Sequence, residues 1–456
     1  MGRLMDRRAF LKGTIAAGGS LVILRSGSAR TYKANERVNV ALIGVAGRGS
    51  WFVGCMPNMA NVVAMCDVDD YRAKRAYADH PKAKKFKDFR RMLDVMGDEI
   101  DAVTIAIPDN THAVATAAAM RAGKAVLCEK PLTHDVYEAR RMRLLARECK
   151  VATQMGNQGT ASRAFRRSVD LIWSGVLGEI RQVYAWKSGG GSGERPLPVE
   201  EHKMPDGLDW DLWLGPAKYR PYNSRWVQWH TWRDFATGNL GNWASHTMNV
   251  IFKGLKLDQL WTQTESATVK LQAEVSGIHE ATFPKQEAIR YELSARGDMP
   301  PVTINWYNGG DRAWGPRAEI EEMIERKLDW GDAGEKQWRD HAGCLIIGSL
   351  GMLHSNGHNT EMKLLPSKKF EGFEGPEPTL PRSRGHEREW LDAVKGGPVA
   401  MSNFDYSGPL AEFVLLGNVA TRIDGLIEFD PASMKIVNND SANRLLKREY
   451  RKGWSL

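Results

Sequence analysis

Lys130 lies in the run Lys124 to Leu132, KAVLCEKPL, where an apolar strand meets a Glu-Lys-Pro turn. A lysine carried by the carboxyl end of a buried strand projects into the crevice where open α/β sheets bind ligands, and the proline after it stiffens the turn. The chemistry such a lysine offers is proton transfer. A lysine in water titrates near ~10.4, so it is a poor base at neutral pH until burial or a nearby positive charge lowers that value. Farther along, Gly241-Asn-Trp-Ala-Ser-His-Thr-Met-Asn249 puts Asn242 and His246 four residues apart. On a helix they share a face, so the amide is expected to orient the imidazole.

The elements that must position Lys130 are legible upstream. Val38 to Ile43 reads as a buried strand opening into Gly44-Val-Ala-Gly-Arg-Gly49, with helical spacing from Ser50. Glycines at a strand-to-helix turn let the backbone approach a pyrophosphate. The middle glycine of G-x-G-x-x-G is Ala46 here, and Gly47 supplies the flexibility instead. The next strand, Val62 to Cys66, ends in Asp67, close to the spacing expected of a carboxylate that binds ribose hydroxyls. That acid repels the extra phosphate of NADP and favours NAD, while Arg72 and Lys74 nearby leave NADP open. Strands at Ala102 to Ile107, Lys124 to Cys128 and Val151 to Met155 alternate with helices at Thr111 to Ala122 and Asp135 to Cys149. Their apolar runs predict a parallel sheet buried on both faces.

Gly44 to Gly49, Asp67, Pro108 with His112, and Glu129-Lys130-Pro131 together resemble the Gfo/Idh/MocA oxidoreductases, relatives of glucose-fructose oxidoreductase and inositol dehydrogenase. Gly408 to Asn418 and Arg448 to Trp454 resemble the tail of that family's exported bacterial branch. The resemblance implies a Rossmann domain over residues 36–156, and a substrate and oligomerisation domain with a large, mostly antiparallel sheet over 157–456. It implies a nucleotide site at Gly44, Ala46, Gly47, Arg48, Gly49, Asp67, Pro108, His112, Glu129 and Lys130, with Asn157 and Gln158 beside the nicotinamide. It also implies a catalytic histidine at His246, where the family commonly has acids at the positions held here by Asn242 and Asn249. An amide cannot stabilise an imidazolium by charge, so Lys130 is expected to carry more of the proton transfer. The expected reaction is oxidation of a secondary hydroxyl on a sugar, glycoside or cyclitol, with Lys130 taking the hydroxyl proton, directly or through His246.

At 456 residues the chain exceeds what one core usually holds. Its formal charge of +8 includes Arg3, Arg7, Arg8, Lys12 and Arg25 against Asp6 within residues 1–29, so loss of that segment leaves +4, an ordinary value that gives no case for nucleic acid. Arg7-Arg8 before the weakly apolar run Thr14 to Leu24, then Gly27-Ser28-Ala29, has the layout of a twin-arginine export signal over residues 1–29, too short to span a membrane. Export to the periplasm by that machinery suits a protein that folds around its dinucleotide first, and scarce NAD outside the cytoplasm implies a tightly held cofactor. The five cysteines form no C-x-x-C, so neither a disulfide nor a metal is expected. Six tryptophans between Trp210 and Trp243 suit either sugar C–H faces or a domain seam. A sheet with one uncovered face favours a dimer or tetramer.

Two rival functions fit the same residues. One is a glycosidase that oxidises a sugar transiently, eliminates the aglycone, adds water and reduces again. The other is a non-catalytic sugar-binding scaffold, motivated by Asn242 and Asn249.

Overall fold

The structure, a computed structural model, describes residues 36–262, 267–309, 316–327 and 341–456. The export signal expected over residues 1–29 lies outside the described residues. Strands β1 (Asn39–Ile43), β2 (Asn61–Cys66), β3 (Lys84–Phe86), β4 (Ala102–Ile105), β5 (Ala125–Glu129) and β6 (Thr153–Gly156) form one sheet in the order β3-β2-β1-β4-β5-β6. All five pairings are parallel. Every residue of β4, β5 and β6 is buried, as strands covered by helices on both faces require. The winding reverses between β1 and β4, and a crevice opens there at the carboxyl ends of the strands.

Side-chain caps fix where the helices begin. Asp69 accepts from the amides of Tyr71 and Arg72 at the head of helix Asp70–Asp79. Asp135, read from the sequence as the first helical residue, is instead the cap of helix Val136–Cys149 and accepts from Glu138 N at 2.8 Å. Edge strand β3 and helix Phe89–Met96 were not anticipated. The strand is only three residues long and begins with two exposed lysines, so no apolar run marks it.

The second sheet holds β7 (Ile180–Lys187), β8 (Val269–Val275), β9 (Glu287–Leu293), β10 (Val302–Asn308), β11 (Ala342–Gly348), β12 (Met352–Asn356), β13 (Met362–Leu365), β14 (Ile427–Asp430) and β15 (Lys435–Ile436). Their order is β13-β12-β11-β7-β10-β9-β8-β14-β15, and only β7 with β10 runs parallel. The expected fold class, a Rossmann domain joined to a large, mostly antiparallel sheet, is the one observed. Val183, Ala185, Ile304 and Trp306 point from this sheet into the core shared with helices Asn249–Gly254 and Phe404–Ala420. Among the described residues, no helix is long and apolar enough to cross a membrane.

The division between residues 156 and 157 is crossed by the end of the chain. Trp390 and Leu391 join the core beneath β1 and β2, and Phe404 N donates to Thr153 Oγ1 at 3.0 Å. Glu412, fully buried, accepts two hydrogen bonds from Arg140 at 2.7 and 2.8 Å and a third from Trp261 Nε1. Removing one partner of such a buried pair costs about 3–5 kcal/mol, so this knot locks the two units together.

Candidate active site

The crevice at the switch point is a cavity of about 810 Å³. Gly44, Ala46, Gly47, Arg48, Asp67, Pro108, His112, Glu129, Lys130 and Asn242, all singled out from the sequence, line it. Its floor depends on glycine at two places. A Cβ on Gly44, whose φ is +81°, would lie 2.2 Å from Ala106 O, and one on Gly49 would lie 2.1 Å from Gly44 O. Gly49 therefore supports the turn from beneath. Gly47 is different: among the described residues a Cβ there would meet only Arg72 Nη2, at 3.4 Å, so the crest of the turn is open.

Beside this crest Asp67 accepts from Val45 N at 3.0 Å and Asp69 N at 3.1 Å, which fixes both oxygens at the mouth of β2. Burial raises its pKa, and the two amides oppose that shift. An open turn, a fixed carboxylate and a cavity of dinucleotide size fit an adenine dinucleotide.

Lys130 reaches into the crevice and donates to Asn242 Oδ1. Burial lowers its pKa; Glu129 and Asp109 oppose the shift, and Arg48 adds to it. Glu129 itself is occupied. Its Oε1 accepts from Arg48 Nε at 2.6 Å and Gln158 Nε2 at 3.0 Å, and its Oε2 accepts from Lys130 N at 3.2 Å. Gln158 thus braces the lysine turn from behind. Asn157, expected to flank the nicotinamide, is fully buried, accepts from Ser402 Oγ and is not among the residues that line the crevice.

His112 also requires correction as a nucleotide contact. Its Nδ1 lies 2.7 Å from Pro131 O and its Nε2 2.8 Å from Ile107 O. Carbonyls only accept, so both nitrogens must carry protons and neither is left for a ligand. Burial opposes the resulting charge, but Cys128, Asp109 and the Pro131 carbonyl outweigh it and push the pKa up to about 10. His112 is therefore an imidazolium that holds the turn after Lys130.

No hydrogen bond joins Asn242 to His246 among the described residues. Leu240–Ala244 is a π-helical turn, followed by Ser245–Thr247 in α form. Asn242 accepts from Lys130 instead, and the His246 ring stands against that of His358, with ring centres 4.7 Å apart. Burial lowers the His246 pKa far below 6.5, and Lys130, His358 and Arg48 act in the same direction. Its Nδ1 is buried with no hydrogen-bond partner among the described residues. A neutral imidazole beside the lysine can pass a proton but does not add charge. Asn249 is structural, donating to Thr160 Oγ1 at 2.9 Å and accepting from Tyr406 OH at 2.7 Å.

Four participants were missed. Asp109, next to the chosen Pro108, is buried and accepts from Thr237 N and Oγ1 at 3.0 and 2.6 Å. His230 lines the crevice, its ring 3.6 Å from that of Trp229, one of the six tryptophans already noted. His358, from a loop after β12 that no sequence pattern marks, packs against His246, and Trp454 closes the far end of the crevice against Phe89.

Of the six tryptophans, Trp213 and Trp229 line the crevice. Trp210, Trp213, Trp226 and Trp232 make a small core with Leu208, Tyr222 and Phe235, and this stiffens a strap across the crevice mouth. The strap is bonded to the Rossmann domain. Asp70 N donates to Gly207 O at 3.2 Å, Asp209 N to Val68 O at 2.8 Å and Lys87 Nζ to Gly207 O at 2.6 Å. From the tail, Arg451 holds the strap through Asp211 Oδ1, Asp211 O and Gly215 O, each at 2.6 Å.

Fold and crevice define a dinucleotide-binding α/β protein with an appended mixed-sheet domain. Residues 38–157 match the family described as "Oxidoreductase family, NAD-binding Rossmann fold", and residues 173–292 match that family's C-terminal alpha/beta domain. The chain belongs to the GFO/IDH/MocA oxidoreductase family. It is 30% identical over 151 residues to an inositol 2-dehydrogenase of Corynebacterium glutamicum, covering 32% of this chain and 44% of that protein. It is 30% identical over 159 residues to a glycosyl hydrolase family 109 protein of Shewanella amazonensis, covering 29% of this chain and 35% of that one. The chain thus spans less than half the length of these curated relatives. The solved WlbA dehydrogenase from Bordetella pertussis, in complex with NADH and UDP-GlcNAcA, superposes with a TM-score of 0.58 at 14% identity over 87% of this chain and 98% of that one, a likeness of fold.

Proposed function

We propose that the protein is an NAD-dependent oxidoreductase acting on a secondary hydroxyl of a sugar, glycoside or cyclitol. One observation carries this reading. Lys130, with its basicity lowered, stands in the crevice between the glycine turn and the Asn242–His246 segment. The cofactor would supply the hydride acceptor, held by the backbone of Gly44 to Gly47 and by Asp67 at its ribose. Lys130 Nζ takes the hydroxyl proton while Asn242 fixes the ammonium head without adding negative charge, which keeps the amine a usable base. His246, neutral and next to Lys130, offers a second acceptor on the substrate side.

We infer tight cofactor retention from the strap, since release requires parting it from Val68, Asp70 and Lys87. Arg7-Arg8 and the apolar run after them support twin-arginine export to the periplasm. The outward face of the nine-stranded sheet, with Arg181, Gln182, Tyr184, Asn305 and Tyr307 around a shallow depression, supports burial against a second copy.

The family 109 relative favours one further reading, glycoside cleavage through transient oxidation. Denaturing release of the co-purifying nucleotide, identified by mass, followed by sugar challenge at the nicotinamide absorbance band, separates the two. Bound NAD that is lastingly reduced by a sugar is the expected result. Aglycone release without lasting reduction would favour the glycosidase. Absence of nucleotide, with no binding of added NAD, would refute both.

A further inference from the structure

The face of the nine-stranded sheet that carries the active-site helix holds a second lysine, for which the reaction above has no use. Lys187 ends β7 on the inward side, in one row with Asn308 of β10 and Ala342 of β11. Its ammonium lies 4.9 Å from the centre of the Trp243 ring and donates to the neighbouring carbonyl of Ser188. No carboxylate faces it among the described residues. The nearest acid in that row, Glu287 of β9, sits two strands away and accepts from Trp306 Nε1 at 3.0 Å and Asn308 Nδ2 at 3.1 Å. Burial alone lowers the Lys187 pKa to about 8. A half-buried ammonium without a counter-charge is an unfavourable arrangement unless something supplies the charge. Among the described residues space is left for it: a Cβ on Gly189, at φ +94°, would meet only Lys187 Nζ there, at 3.7 Å.

The placement relates this lysine to the reacting centre. Trp243 follows Asn242, which accepts from Lys130 Nζ, and the Trp243 ring stands edge-on to His358 at 5.2 Å, next to His246. Two ammonium groups therefore flank consecutive residues of one helical turn, with an indole and two imidazoles between them. A single lysine lacking an arginine fork suits a carboxylate monoanion better than a phosphate dianion.

We propose that Lys187 is a specificity-determining residue that anchors the carboxylate of an acidic sugar, so the preferred substrates are sugar acids such as hexuronates. The inference rests on the oxidoreductase reading for the reaction at the other end of the sugar, but not for the binding itself. The test is calorimetric binding of D-glucuronate and D-galacturonate against D-glucose and D-galactose, using the holoprotein, Lys187→Met and Lys187→Arg, with nicotinamide absorbance followed in parallel. A charge-assisted hydrogen bond in a half-buried site predicts that the wild type binds an acid about 10- to 100-fold more tightly than its neutral counterpart. Lys187→Met should erase that margin and Lys187→Arg should restore most of it. Equal binding of acid and neutral sugar by the wild type, no binding of either acid, or a margin that survives Lys187→Met would overturn the proposal. Failure of the oxidoreductase reading would show separately, as an unchanged absorbance with every sugar, while the binding margin still decides the role of Lys187.

Discussion

Asn242→Asp changes one atom type and replaces a neutral acceptor on Lys130 with a charged one. The two side chains are in direct hydrogen-bond contact, so the new carboxylate would lie within about 4 Å of the ammonium. At that distance, with an effective dielectric near 20, the attraction is about 4 kcal/mol, or roughly three pKa units as a ceiling. Solvent in the crevice reduces this to about one to two units. Arg48 and Lys130 both keep the new acid ionised, so it does not escape by taking up a proton itself. Since Lys130 must be neutral to accept the hydroxyl proton, the acidic limb of kcat/KM should move up by about one to two pH units. The rate at pH 7 should fall about 10- to 100-fold. The assay is cofactor reduction by the best sugar substrate across pH 5 to 10, with bound nucleotide quantified for each sample. An acidic limb that stays in place, or moves down, would refute Lys130 as the proton acceptor and Asn242 as its neutral partner.

His112 carries a folded pKa of about 10 against an unfolded value of ~6.5, so its stabilisation is complete below pH 6.5 and is lost as pH rises through 10. The urea midpoint should fall over that window in the wild type, and His112→Gln should lose the slope along with about 3–5 kcal/mol at pH 6. A variant with the wild-type slope would contradict the imidazolium. Gly44→Ala should cost about 2–4 kcal/mol by thermal unfolding, because its Cβ would collide with Ala106 O at a left-handed φ; Gly47→Ala, with open space, should cost only about 1. Arg451→Ala removes three strap contacts and should speed NAD release about 10- to 100-fold by filtration assay; unchanged release would mean that the strap does not retain the cofactor.

The Rossmann half was legible because its code is local. A strand buried on both faces is an unbroken apolar run, and β1, β2, β4, β5 and β6 each appear within two residues of where Val, Ile, Leu and Ala cluster. Lys130 was legible because strand and turn are contiguous. The rest of the site depends on contacts far apart in the chain. Asn242 meets Lys130 across 112 positions, and His358 and Trp454 reach the site from loops. Helical spacing pointed Asn242 at His246, whereas its hydrogen-bond partner is Lys130, which no local pattern marks. The amides at Asn242 and Asn249, which look alike as departures from the family pattern, separate only in three dimensions. One touches Lys130 and the other ties Thr160 to Tyr406.

The central claim is that Lys130 accepts the substrate proton as the carbon–hydrogen bond breaks. Its most direct test is a single-turnover measurement of nicotinamide reduction in wild type and Lys130→Met, both loaded with equal NAD, using a sugar substrate deuterated at the reacting carbon. The wild type should show a primary isotope effect, and the variant should keep its cofactor and lose about 100- to 10,000-fold in rate. A variant that retains NAD and reduces it within about threefold of the wild-type rate would contradict the assignment.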